Sequence, residues 1–103
     1  MRLVRRFHSE AELEFEAAVD WYDVQQPGLG DDFLQSVEEA LEFVLEWPSI
    51  APVVSGWDQE PEVRTQSVAR FPYQVHFFLI NHELIIVAIA HHRRRPNYWK
   101  GRV

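Results

Sequence analysis

Cysteine is absent from the 103 residues, which removes disulfides, thiolate metal ligands and a cysteine nucleophile together and fits a reducing compartment. Glycine is scarce, with four residues, and none belongs to a phosphate-cradling pattern; Gly28 and Gly30 stand where two helices would turn. No serine nucleophile signature occurs. No apolar run is long enough to span a bilayer, and the Arg-rich start turns acidic at once instead of continuing into the apolar core of a signal peptide. A soluble cytoplasmic protein with no membrane partner is expected. Repeats and low-complexity segments are also missing. From Phe7 to Val63 there is no Lys or Arg, although fifteen of the sixteen Asp and Glu residues lie there.

What is present is apolar and aromatic: 47% hydrophobic residues with seven Phe and four Trp, enough to pack one core, so residues 1–103 are read as a single domain. The net charge of -6 conceals a bipolar layout. Arg2, Arg5 and Arg6 lie at one end, and Arg93, Arg94, Arg95, Lys100 and Arg102 at the other; only Arg64 and Arg70 fall between. Such a distribution suits two unlike partners.

Leu3 to Phe7 reads as a short strand. Ser9 with Glu12 forms a capping-box pattern, so a helix should start at Ser9, with an apolar stripe of Ala11, Phe15, Ala18 and Tyr22 flanked by Val19 and Trp21. Gln25-Gln26-Pro27-Gly28 ends it. Gly30 or Asp31 can cap a second helix whose apolar face is Phe33, Val37, Ala40, Leu41, Val44 and Leu45, and Pro48 stops it at Trp47. The short link makes an antiparallel helical hairpin.

From Glu62 the period becomes alternating. Val63–Val68 is a strand with one wet side, and Tyr73–Ile80 and Leu84–Ala90 are the strongest strands, joined by Asn81-His82 as a two-residue hairpin loop. Counting back from that loop pairs Ile80 with Glu83, Phe78 with Ile85, His76 with Val87 and Pro72 with His91. Val75, Phe77, Leu79, Leu84, Ile86 and Ala88 would then share the helix-facing side. The other side is also apolar and needs cover. The fold class is α+β: an N-terminal strand and a helical hairpin packed on an antiparallel sheet in two layers.

His91 and His92 are adjacent and point to opposite faces if extended, and His8, His76 and His82 lack ligand-spaced partners, so no metal site and no cofactor are expected. The chemistry concentrates in the tail, AHHRRRPNYWKGRV. Pro96 holds Arg95 extended, so Arg93 to Asn97 should run across the surface at a strand end. Its cations suit phosphates, while Tyr98 and Trp99 either stack on bases or a protein groove, or fold back over the uncovered sheet face. A metal-free ribonuclease can be assembled from His91 or His92 as base, Tyr98 as acid and Arg64, Arg70 or Arg93 on the phosphate. Against that stands His91 as a strand-end residue bonded to backbone. The acidic stretch is either a solvated face or a surface for a partner carrying basic residues.

Taken together, "AELEFEAAVDWYDVQQPGLGDDFLQSVEEALEFVLEWP" and "VRTQSVARFPYQVHFFLINHELIIVAIAHHRRRPNYWKGR" resemble the ParE branch of the RelE/ParE superfamily of type II toxins, the plasmid stabilisation protein family. Trp-Tyr at the end of the first helix, Pro-Gly-Leu-Gly, Asp-Phe, Phe-Pro-Tyr and His-x-Arg-Arg-x-Pro-x-Tyr-Trp follow in the family's order. The resemblance implies a bacterial toxin neutralised by a cognate antitoxin and forming an oligomer with it, directed at DNA gyrase. It implies target contacts at Arg93, Arg94, Arg95, Tyr98, Trp99, Lys100 and Arg102, and antitoxin contacts at Trp21, Tyr22, Phe33 and Val37. The RelE-like alternative is a ribosome-dependent messenger RNA endoribonuclease using His91, Tyr98, Arg64 and Arg70. RelE-type enzymes commonly carry lysines in the central strands; here the only lysine is Lys100. A third alternative is an inactive remnant that still binds antitoxin.

Overall fold

A computed structural model describes residues 3–103. The order is β1 (Val4–Phe7), α1 (Ser9–Gln25), α2 (Leu29–Glu46), β2 (Arg64–Ser67), β3 (Tyr73–Ile80), β4 (Glu83–His91) and a 3-10 turn at Lys100–Arg102.

α1 begins at Ser9 as expected, but its cap is one residue earlier. His8 is extended (φ -62°, ψ 142°) and its Nδ1 accepts from the Glu10 amide at 3.1 Å. The His8 carbonyl already accepts from Glu12 N, so Ser9 is inside the helix and is too late to act as cap. The turn into α2 also differs from expectation. Gly28 takes φ 90° as the cap, and the first-turn amide of Gly30 is satisfied from the neighbouring helix by Asp23 Oδ1 at 2.8 Å. A Cβ on Gly30 would lie 2.5 Å from the Val19 carbonyl oxygen, so the close approach of the two helices here requires glycine. α2 stops at Glu46, immediately before the Trp47-Pro48 restriction.

The sheet order is β1-β4-β3-β2, with β1 parallel to β4 and the rest antiparallel. The helical hairpin is thus the crossover that returns the chain to the far edge of the β2-β3-β4 meander. Asn81 takes φ 55° in the hairpin loop, and Ile80 pairs with Glu83 and Phe78 with Ile85 as counted. An irregularity between His76 and Phe77 then shifts the ladder: His76 opposes Ala88, and Tyr73, not Pro72, opposes His91. One extra residue on β4 exchanges its faces. Ile89 takes the helix-facing place expected of Ala88, and Ala88 joins the opposite side.

Both sides of the sheet are therefore closed. Phe33, Val37, Leu41 and Val44 of α2 meet Val75, Phe77, Leu84 and Ile86. On the other side Val63, Val87, Ala88 and Ala90 are covered by Trp99, with Trp57 beside it at a 5.0 Å ring separation. The tail thus supplies the cover that the apolar second face required. At about 25 cal/mol per Å² over roughly 200 Å², burying one such indole gives about 5 kcal/mol of gross transfer free energy. No helix among the described residues is long and apolar enough to cross a membrane.

Candidate functional site

The basic tail starts where β4 ends. His91 packs edge-on against Tyr73 at 5.0 Å, and its Nδ1 accepts from the Arg93 amide at 3.0 Å. His92 N donates to Pro72 O, which carries the ladder one residue further. The chain then folds back: Arg94 N donates to His91 O, Asn97 takes φ 61°, and Lys100 N and Arg102 N close successive turns onto Asn97 O and Trp99 O. Arg93 to Asn97 lies exposed across the surface at the strand end, as expected, but through turns. Pro96 restricts only its predecessor, and Trp99 draws the following segment back onto the sheet.

The tail is fastened by a residue of α1. Glu14 Oε2 accepts from the Tyr98 hydroxyl at 2.7 Å, and its two oxygens accept from both terminal nitrogens of Arg102 at 3.0 and 3.1 Å. Oε1 also accepts from Ile89 N at 3.2 Å, and Arg94 approaches Oε2 to 3.9 Å. Arg102 completes its fork on the Val87 carbonyl at 2.9 Å. Two guanidiniums stand over the Tyr98 ring, with Arg94 3.9 Å and Arg102 5.1 Å from its centre. Glu14 and Arg102 side chains are each 15% exposed, so the bidentate pair is largely withdrawn from water.

Electrostatics follow from this packing. Burial, then the hydrogen bond to Glu14 and its negative charge, pushes the Tyr98 phenol well above its ordinary range, so it is a neutral donor to Glu14. For Arg102 burial opposes the charge, but the Glu14 bonds prevail and the guanidinium is held more firmly protonated than usual. Burial lowers the His76 imidazole to about 4 despite the opposing pull of Glu14. Its Nδ1 is buried without a hydrogen-bond partner among the described residues, and its ring lies 5.2 Å from that of Trp99.

Among the residues marked out for catalysis, His91 and Tyr98 come together, both lining one hollow beside the tail. Arg64 does not. It opposes Phe77, whereas His91 opposes Tyr73; four residues along β3 and two strand spacings separate their Cα atoms by roughly 16 Å. Its guanidinium is bound to the Ala51 carbonyl at 2.7 Å. Arg70 sits in the β2–β3 turn at φ 72°, near Asp32 at 3.7 Å.

Among the expected target contacts, Arg93, Arg94, Arg95 and Lys100 are exposed. Trp99 is 1% exposed, because the sheet face it covers would otherwise be wet; it is a core residue and not a surface contact. Arg102 is bound to Glu14. Of the expected antitoxin contacts, Phe33 and Val37 are fully buried against the sheet, since their stripe is the one α2 turns inward. Tyr22 is half-buried among Phe33, Phe71 and Tyr73. Trp21 is 57% exposed and continues an outward stripe with Leu13, Ala17 and Val24. Two hollows of about 350 and 440 Å³ share Trp21, Tyr73 and His91. Glu14 and His76 were not singled out by sequence: Glu14 is one of four alternating glutamates, and His76 is one polar residue in an apolar strand.

No family model matches the sequence, and no curated protein matches it. A solved structure described as a chromosomal ParDE TA (toxin–antitoxin) system from P. aeruginosa contains a chain with a TM-score of 0.74 to this one, 22% identical, covering 87% of this chain and 96% of that one. The helical hairpin on a four-stranded sheet is therefore a fold that this chain shares, over most of both lengths, with a chain of a ParDE toxin–antitoxin system.

Proposed function

We propose that the protein is the toxin of a type II toxin–antitoxin pair, resembling ParE, which acts on DNA gyrase and is held inactive by a cognate antitoxin. The observation that carries this reading is the shared fold with a ParDE chain over nearly the full length, together with the ParE-like order of motifs in the sequence. The charge layout supports two partners of opposite character. Exposed Arg93, Arg94 and Arg95 form one surface, and the Trp21 stripe among the acids of α1 forms another. Trp21, with part of Tyr22, is the antitoxin contact.

The ribonuclease alternative is weakened by geometry. Arg64 stands far from His91 and is bound to the Ala51 carbonyl, so any phosphate clamp there falls to the tail arginines, and the Tyr98 hydroxyl is committed to Glu14 and is not free to act as the acid. Induction of the chain alone should arrest growth, and the purified protein should inhibit supercoiling by gyrase. Unimpaired supercoiling at saturating protein refutes the gyrase target. Ribosome-dependent messenger RNA cleavage, lost in Tyr98→Phe, would establish the alternative instead. No growth effect would leave the inactive remnant.

A further inference from the structure

The cover that Trp99 gives the outer face of the sheet lies over Val87, Ala88 and Ala90 and stops short of the Asn81-His82 hairpin. Strand register defines what stands there. Val4 and Ile80 both lie opposite Glu83, and Arg6 and Phe78 both lie opposite Ile85, so three strands set two rows of three side chains on the outer face. Leu3, Phe7 and Leu79 pack on the helix side, where Arg5 also reaches Glu38 of α2, which fixes the alternation. Val4 and Ile80 are 61% and 49% exposed, and Phe78 and Ile85 are half-buried. Four apolar side chains therefore meet water side by side, around one ion pair from Arg6 Nη2 to Glu83 Oε1 at 2.6 Å.

We propose that this end of the sheet is where two copies of the chain meet, outer face on outer face, with their strands antiparallel. Charge selects the occupant. The patch carries one cation and one anion in a chain of net charge -6; a strongly basic partner is drawn instead to the acidic helices, and a strongly acidic one to the tail. A neutral patch with one charge of each sign is complementary to itself under two-fold symmetry. With the axis in the plane of contact and across the strands, β1 of one copy lies over β1 of the other and the two rows exchange. Ile80 then faces the second copy's Phe78, Glu83 faces its Ile85, and Arg6 stands one strand over from its Glu83, within reach of a long side chain. Each cation gains a second anion as the four apolar side chains leave water. Reversed strands also carry the second copy's tail beyond the hairpin end of the first, so the tails do not collide. The α1 stripe with Trp21 lies on the other layer and stays free, so the contact neither requires nor obstructs the toxin reading.

Sedimentation velocity of the purified full chain over a range of concentrations tests it. The six residues of the patch are fewer than the roughly 20–30 per side of a standard interface, so a dissociation constant on the order of 10–100 µM is expected. Arg6→Glu and Glu83→Arg should each weaken association by about tenfold or more, because each sets like charges across the contact. Their equimolar mixture should associate at least about tenfold more tightly than either variant alone, since one copy then brings only acids and the other only bases. An ion pair within one chain cannot produce that rescue. The two side chains are 66% and 30% exposed, so each variant should melt close to the native chain. Ile80→Asp should abolish association, whereas Ile50→Asp, at an exposed position following α2, should change it by less than about twofold. The proposal is overturned if the native chain is still monomeric at about 500 µM, if the mixture associates no more tightly than its components, or if Ile50→Asp disrupts association as much as Ile80→Asp.

Discussion

Replacing Glu14 by Ala tests whether the tail is part of the fold or an appendage to it. The carboxylate accepts four hydrogen bonds: two from Arg102, one from Tyr98 and one from Ile89 N. Removing one member of a fully buried ion pair costs about 3–5 kcal/mol. Here the two side chains are 15% exposed and Arg102 keeps its bond to the Val87 carbonyl, so some of the stranded charge is rehydrated. A loss of about 2–3 kcal/mol is expected, which lowers Tm by roughly 10–20 °C for a domain of this size. Thermal and urea unfolding measure it directly. Glu12→Ala and Glu16→Ala, at exposed positions on the same helix, should stay within about 0.5 kcal/mol. Combining Glu14→Ala with Arg102→Met should recover about 1 kcal/mol or more, because the second change removes the stranded cation. A loss under about 1 kcal/mol for Glu14→Ala, or strict additivity in the double variant, refutes the reasoning.

Burial that holds the His76 imidazole near 4, against 6.5 when unfolded, makes the unfolded chain bind the extra proton between those values. Stability from this group is complete above about 6.5 and is lost as pH falls toward 4, by at most about 3 kcal/mol. The slope of stability against pH should therefore be steeper in the native chain than in His76→Phe, and an unchanged slope refutes the assignment. All three tyrosines are raised, chiefly by burial, so phenolate absorbance in the folded protein should lag that of the unfolded chain; coincident titrations would contradict the packing of Tyr98 on Glu14. Gly30→Ala should lose about 2 kcal/mol or more, because its Cβ meets the Val19 carbonyl at 2.5 Å, while Gly101→Ala, with nothing within 4 Å, should be near neutral. Trp99→Ala should destabilise by about 3–5 kcal/mol in the same assay; a neutral result would show that the tail does not cover the sheet.

Local chemistry made most of the fold legible. The 3.6-residue stripes, the Pro-Gly turn, Pro48 and the Asn81-His82 loop placed both helices and the strong hairpin within a residue or two of their observed ends. The shift between His76 and Phe77 was not legible, because the β4 run Leu84–Ala90 is apolar throughout and carries no alternation to betray an extra residue. The cap at His8 was missed for a different reason: a Ser-x-x-Glu pattern specifies a cap only if the backbone leaves its preceding strand at the serine. Glu14 is the clearest limit. In α1 it is one of Glu10, Glu12, Glu14 and Glu16, and only the return of the tail across some eighty residues of sequence distinguishes it.

That return also changes the meaning of the bipolar charge. Read as a list, the C-terminal cations form one uniform cluster facing away from the acidic helices. In the fold, Arg102 is consumed by Glu14 and Arg94 is shared between Glu14 and the Tyr98 ring. Arg93, Arg95 and Lys100 make no ion pair among the described residues. The first group sets the shape of the tail and the second presents charge, so neutralising the two groups should have different consequences. Arg102→Met should appear first in unfolding, because its loss strands Glu14. Arg93→Ala with Arg95→Ala should leave Tm within a few degrees, since exposed unpaired cations contribute little to stability, and should abolish growth arrest if the tail contacts the target. Loss of arrest with native stability would locate function in the free cations; retained arrest would move the target contact away from this end of the sheet.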